Sequence, residues 1–270
     1  MLSQDQVREF HRNGYVRGSR VLTDEQVELL RAEIQRVIDD DGKPGVPQPV
    51  LLRNLNADRP DAPVWQIVNI WEASRPFRDL VIFNRQIAEE MAQLTGAKQL
   101  RIWHDQVQYK PPAYGGTTMW HQDAPLWPII APMTEVSAWV ALDDVDVDNG
   151  CMWMVPGSHL WGNHMDFIRE HVRTFDAMPA EFEGHRIEVK PCPVKKGEVH
   201  YHHALTWHGS PDNKSPRPRR AIAVHYMTEE TRYVASGNHP MKPFVEVQDG
   251  EVMRGEHFPL VWEAKRELSL

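Results

Sequence analysis

The stretch LRIWHDQVQY (residues 100–109) mixes alternating polar and apolar side chains with β-branched and aromatic ones, the habit of a strand between unlike surroundings. Five more short stretches share this character, at 135–145, 152–155, 185–194, 198–203 and 220–227, and Gly or Pro separates many of them. Upstream, the first 97 residues read as largely helical. Ser3 is placed to cap a helix running to Arg12, with Val7 and Phe10 facing inward and Asn13-Gly14 as the stop. Thr23 opens a second helix with capping-box spacing to Gln26, and Val27, Leu30, Ile34 and Val37 make one apolar stripe. A helix pair is expected over 77–95, closed by Gly96, and the breaker-rich 39–47 reads as a loop. Short strands following a helical third predict a mainly β fold with flanking helices, a β-sandwich or jelly roll. The strand-poor interval 157–184 reads as a loop or lid.

Composition narrows the function classes. Thirty basic against 38 acidic side chains give −8, a balance that argues against nucleic acid or an anionic membrane surface as partner. No apolar run approaches the roughly 18 residues a membrane span needs, and the N-terminus lacks the pattern of a signal peptide. Two cysteines, Cys151 and Cys192, are too few for a disulfide framework. A soluble cytoplasmic protein acting on a small molecule is the expectation.

The chemistry is concentrated in His121-Gln122-Asp123. In a strand, residues two apart project from one face, so His121 and Asp123 would point together into a barrel. One imidazole and one carboxylate are two of the three ligands of the two-His-one-carboxylate facial triad for iron(II). His208, in TWHGS (206–210), is the candidate for the second imidazole. Eleven positions later (219 − 208) stands Arg219, the planar and permanently charged side chain suited to a carboxylate. Of the other histidines, His200 and His202 would share a strand face and could form a competing metal set, while His104, His159 and His225 read as structural. Among the tryptophans near these motifs, one or two are expected at a substrate pocket and the others in the core.

These motifs resemble the phytanoyl-CoA dioxygenase family. The likeness spans roughly residues 98–227. It rests on WHQD (120–123), VSAWVALDD (136–144), NGCMWMVPGSH (149–159), HGSPDNKS (208–215) and Arg219. The resemblance implies a double-stranded β-helix, a cupin-like jelly roll, that uses iron(II), 2-oxoglutarate and dioxygen. It makes His121, Asp123 and His208 the metal ligands and Arg219 the partner of the distal carboxylate of 2-oxoglutarate. Ser210 assists that arginine, Trp139 walls the co-substrate, and Gln106 lines it. In part of the family a lysine from 65–71 also reaches the co-substrate; here WQIVNIW has none, which leaves Gln66 or Asn69 for that place. An Asp at 123, where related halogenases carry Gly or Ala, points to hydroxylation or another oxidation. The alternative reading is a divalent-metal hydrolase or isomerase on a cupin-like barrel, which would use the same ligands without Arg219 and Ser210.

One domain over 1–270 is expected, with 1–97 as helical support, 98–227 as the jelly-roll core and 228–270 as a C-terminal extension. Substrate recognition is expected from 40–65, 124–133 and 157–184.

Overall fold

The computed structural model describes residues 1–59, 61–113 and 116–265, so the last five residues of the C-terminal extension lie outside the described residues. The chain begins with α1 (Gln4–Asn13), β1 (Tyr15–Arg20) and α2 (Asp24–Asp39), continues through β2 (Leu51–Asn54) and β3 (Trp65–Val68), and then forms α3 (Ile70–Ala73), α4 (Arg75–Phe83) and α5 (Arg85–Thr95). The strands that follow are β4 (Gln99–Lys110), β5 (Thr118–His121), β6 (Ile130–Ala131), β7 (Val136–Ala141) and β8 (Met152–Met154). After α6 (Met165–His171) come β9 (Glu181–Phe182), β10 (His185–Arg186), β11 (Lys190–Cys192), β12 (Glu198–His203), β13 (His208–Ser210), β14 (Arg219–Thr228), β15 (Arg232–Tyr233) and β16 (Leu260–Glu263).

The anticipated capping box of Thr23 and Gln26 is present, and the Ser3 cap is also a full box, exchanging side-chain to backbone bonds with Gln6. Gly14 closes α1 at φ 80° and Gly96 closes α5 at φ 66°, conformations that suit a residue without Cβ. Within the segment 1–97, read as largely helical, the unmarked strands β1, β2 and β3 all join the main sheet. They are short and lie at its margins, so neither length nor a clean apolar alternation marks them in the sequence.

The main antiparallel sheet runs β1-β12-β7-β14-β4-β3-β2, with β16 added against β4. A second sheet runs β11-β8-β13-β5. The two form a jelly roll. The outer face of the main sheet, including Val136, Ala138, Val140, Ile222, Val224 and Tyr226, packs under the helices against Phe10, Leu30, Ile34, Phe77 and Met91. Residues one step along, Trp139, Ala141, Ala221 and Ala223, point the other way and meet Met152 and Met154 of the second sheet. Burial of this apolar surface is the main driving force for the two-layer arrangement.

Strand β4 contains the irregularity that sets the interior. Its register against β14 pairs Ile102 with Tyr226 but His104 with His225, leaving Trp103 as an extra residue. Such a bulge reverses which face successive side chains occupy. Leu100 and Ile102 pack with the helices, whereas Gln106 and Gln108 line the interior.

Interval 157–184 is more structured than a bare loop. It holds a 3-10 turn (Ser158–Trp161) and α6, and Trp161, Phe167, Phe175 and Phe182 pack with Trp120, Trp153 and Trp207. Among the described residues no helix is long and apolar enough to cross a membrane.

Candidate metal centre

A cavity of about 240 Å³ lies between the sheets, lined by Gln106, Trp139, Ala223 and His225 on one side and by Thr118, His121, Met152, His208 and Ser210 on the other. His121 and His208 are directly opposed in the β5–β13 ladder, with ring centroids 4.1 Å apart. Their approach depends on Gly209, where a Cβ would stand 2.9 Å from the Thr118 carbonyl oxygen. Asp123 joins them by a different route from the one expected. Strand β5 ends at His121, and Asp123 adopts a helical conformation (φ −71°, ψ −51°) with its N–H donated to the Ala204 carbonyl. Gln122 is turned elsewhere and fixed by bonds to Gly162, Leu205 and His164. A turn thus does the work that strand alternation was expected to do.

One donor atom from each of His121, Asp123 and His208 falls within 4.8 Å of the others. The hydrogen bonds set the state of the rings. His121 donates Nδ1–H to the Met119 carbonyl at 2.8 Å, and His208 donates Nδ1–H to the Thr206 carbonyl at 2.9 Å. Each neutral ring therefore presents a bare Nε2 lone pair, 3.4 Å (His121) and 3.6 Å (His208) from Asp123 Oδ1. Three electron-rich atoms facing one another this closely call for a cation between them. This donor set fits a divalent metal that accepts nitrogen and oxygen ligands.

The titration directions differ among the three groups. Burial alone would raise the Asp123 carboxyl, but His208, His121 and His202 around it hold it well below the usual range. Burial lowers His208 to about 3, helped by the neighbouring His121. Burial also works against the His121 cation, but the bond to Asp123 prevails and raises its pKa.

A second layer surrounds the carboxylate. His202 Nε2 lies 3.3 Å from Asp123 Oδ2, and Ser137 Oγ stands 3.5 Å from the same oxygen while accepting His225 Nδ1–H at 2.6 Å. His202 and His225 both line the cavity, so His225 is more than the structural strand residue expected. The competing His200–His202 set does not assemble, since the trio above is the one group of ligating side chains that converges among the described residues.

Deeper in the cavity wall sits Arg219, 1% exposed. Its Nε donates to the Gly150 carbonyl at 3.3 Å and one terminal nitrogen donates to Ser210 Oγ at 3.0 Å, while the other terminal nitrogen has no partner. The guanidinium lies over Trp139, 5.5 Å from the ring centre, and burial lowers its pKa to about 10. Gly150, with φ 84°, makes a turn too tight for a side chain, since a Cβ would be 2.7 Å from the Pro211 carbonyl oxygen. Beside Ser210, Lys110 donates to Ser210 Oγ at 2.6 Å. Of the two candidates at 65–71, Gln66 lines the cavity, whereas Asn69 is fully buried and spends its amide on Glu72 and Asp105. Segment 124–133 contributes Leu126 and Trp127 to the lining; no lining residue described comes from 40–65 or 157–184.

Sequence reasoning missed Lys110 and Gln108, and gave His202 and His225 other roles. Only Gln108 carried a usable signal, being two residues from Gln106 on one strand.

Glu135, just before β7, is 1% exposed and neither of its oxygens has a hydrogen-bond partner. Burial, with the Asp123 charge adding to it, raises its pKa to about 8. A raised pKa stabilises the fold at low pH and loses that contribution as pH climbs through the folded-state value. Glu135 should therefore contribute a decline of at most about 1.4 kcal/mol per pH unit between pH 5 and 9, set against the opposite slope that buried histidines with lowered pKa, among them His203 and His225, give below about pH 6.5. Glu135→Gln should flatten that decline in chemical denaturation. Part of the slope will persist, because burial raises Asp105 to about 8 as well. An unchanged slope in the variant would remove Glu135 as a source.

Comparison with known proteins agrees with the fold. The family model described as "Phytanoyl-CoA dioxygenase (PhyH)" matches residues 10–221. The peroxisomal phytanoyl-CoA dioxygenase of Rattus norvegicus is 24% identical over 251 residues, covering 87% of this chain and 71% of that protein. An ectoine dioxygenase of Bordetella parapertussis is 25% identical over 249 residues, covering 85% and 76%. Among solved structures, the non-heme alpha-ketoglutarate-dependent carbocyclase SnoK from nogalamycin biosynthesis superposes with a TM-score of 0.76 at 27% identity, covering 97% of both chains.

Proposed function

Because this chain belongs to the phytanoyl-CoA dioxygenase family and is an iron(II)- and 2-oxoglutarate-dependent oxygenase, we propose that it hydroxylates a small organic molecule. In this reading His121, Asp123 and His208 hold the iron. Arg219 and Ser210 take the distal carboxylate of 2-oxoglutarate, with Trp139 and Gln106 along its length. The observation that carries the proposal is the pair of bare Nε2 atoms facing Asp123 in a cavity backed, behind Ser210 and Trp139, by a buried arginine with one terminal nitrogen unpartnered.

Iron(II), with 2-oxoglutarate and dioxygen, supplies the oxidising power and releases succinate and carbon dioxide. The chain's own groups do the rest. The Met119 and Thr206 carbonyls keep both imidazoles in the ligating tautomer. His202 orients the Asp123 carboxylate through its other oxygen. Trp127, Trp139, Met152 and Leu126 give the cavity apolar wall area that excludes water. Gln106, Gln108 and His225 offer uncharged hydrogen-bonding groups, which favour an uncharged polar substrate. A carboxylate at 123 occupies the place a halide would need, which supports hydroxylation over halogenation. The hydrolase or isomerase alternative has no use for Arg219.

Localisation in a reducing cytoplasm completes the proposal, consistent with free buried thiols at Cys151 and Cys192. The test is succinate release across a panel of metabolites with iron(II) and 2-oxoglutarate supplied. Succinate formed in step with a hydroxylated product supports the reading; metal-dependent product formation without oxygen consumption would overturn it.

A further inference from the structure

Lys110 and Arg219 are directly opposed across β4 and β14, and both are buried, at 3% and 1% exposure. Neither takes part in an ion pair among the described residues. Like charges placed opposite each other on neighbouring strands repel, and burial deepens the cost. Two basic side chains kept together in a dry wall without an acidic partner therefore point to an anion that arrives from outside.

Ser210 is the atom-level link between them. Its hydroxyl oxygen lies 2.6 Å from Lys110 Nζ and 3.0 Å from an Arg219 terminal nitrogen. The other two Lys110 contacts are carbonyl oxygens, Ser210 at 3.2 Å and Pro211 at 2.8 Å, so all three ammonium protons have acceptors. A serine hydroxyl has two lone pairs and one proton. With both lone pairs taken by N–H donors, the proton is left to point elsewhere, and Ser210 lines the cavity.

We propose that Lys110 is a positioning residue for the co-substrate. By donating to Ser210 Oγ it directs that hydroxyl's proton into the cavity, so that the wall beside Arg219 offers donors only. The site then favours a 2-oxo acid with a second carboxylate over one without. The proposal rests on the assignment of this wall to 2-oxoglutarate. Burial and the Arg219 charge push the Lys110 ammonium well below its ordinary range, a pressure that a bound carboxylate opposes. A neutral Lys110 amine would do the reverse, accepting the Ser210 proton and withholding it from the ligand.

Calorimetric titration of the manganese(II)-loaded protein with 2-oxoglutarate and with oxalate separates these cases. Oxalate can chelate the metal but has no distal carboxylate to reach Ser210. Lys110→Met is expected to weaken 2-oxoglutarate binding about tenfold, the scale of a lost charge-assisted bond, and to leave oxalate within about twofold. Lys110→Gln keeps an N–H donor and should recover part of the loss; it also carries the test if the methionine variant does not fold. Adding Lys110→Met to Ser210→Ala should cause no further loss, because the lysine acts through the hydroxyl. Equal weakening of both ligands, or unchanged or tighter 2-oxoglutarate binding, would overturn the proposal. Failure of the wild-type protein to bind either ligand would instead overturn the co-substrate site itself.

Discussion

Asp123→Ala is expected to abolish 2-oxoglutarate turnover, with a loss on the order of 10³-fold or more, the scale seen when one member of a unit is removed. Asp123 is the one carboxylate in the converging trio, and it is also the acceptor toward which His202 is aimed. Without it, His121 Nε2 and His208 Nε2 keep their lone pairs but lose the negative charge that makes the site attractive to a dication. Metal content measured after dialysis should fall along with succinate release. The fold should survive, because Asp123 holds its turn through a backbone N–H to the Ala204 carbonyl, a bond that alanine retains. Unchanged circular dichroism together with lost metal is the expected outcome. Full activity in the variant would remove Asp123 from the ligand set.

The second large effect is expected from Arg219→Ala. The proposed contact is a charge-assisted hydrogen-bonded pair, and losing it should raise the 2-oxoglutarate requirement by about 10- to 100-fold, corresponding to about 1.5–3 kcal/mol. Metal affinity should be largely retained, since Arg219 bonds Gly150 and Ser210 rather than any of the three candidate ligands. Stability without ligands should not suffer in proportion to the burial of the side chain. Replacing a buried cation that has no counter-charge removes a desolvation cost along with the packing. Loss of metal with normal 2-oxoglutarate affinity would show that the role given to Arg219 is wrong.

The helical elements were legible because their signals are local. The Ser3 cap, the pair Thr23 with Gln26, and the stripe at Val27, Leu30, Ile34 and Val37 each depend on residues within a few turns of one another. His121 and His208 were found through residue type and context, and the ladder that sets them opposite each other is a long-range pairing that no local pattern encodes. What stayed hidden has the same cause. The extra residue at Trp103 changes which face Gln106 occupies, yet nothing around it differs from an ordinary strand. Asp123 reaches the site by a turn pinned to Ala204, eighty-one positions away (204 − 123). Lys110 is an unremarkable strand-end lysine until β14 places Arg219 beside it. His202 and His225 gain their meaning only once Asp123 and Ser137 stand next to them.

Strand β13 has only three residues, all bordering the cavity, with the His208 and Ser210 side chains on either side of Gly209. An extended backbone advances about 3.4 Å per residue, so these two positions are separated by about 7 Å whatever the side chains do. Under the proposed roles, with metal at His208 and the distal carboxylate at Ser210, this backbone spacing would gauge the length of the acid that bridges the two ends of the site. A shorter diacid would then leave one end unanchored and a longer one would buckle, so part of the choice of co-substrate would be written in the pitch of the main chain.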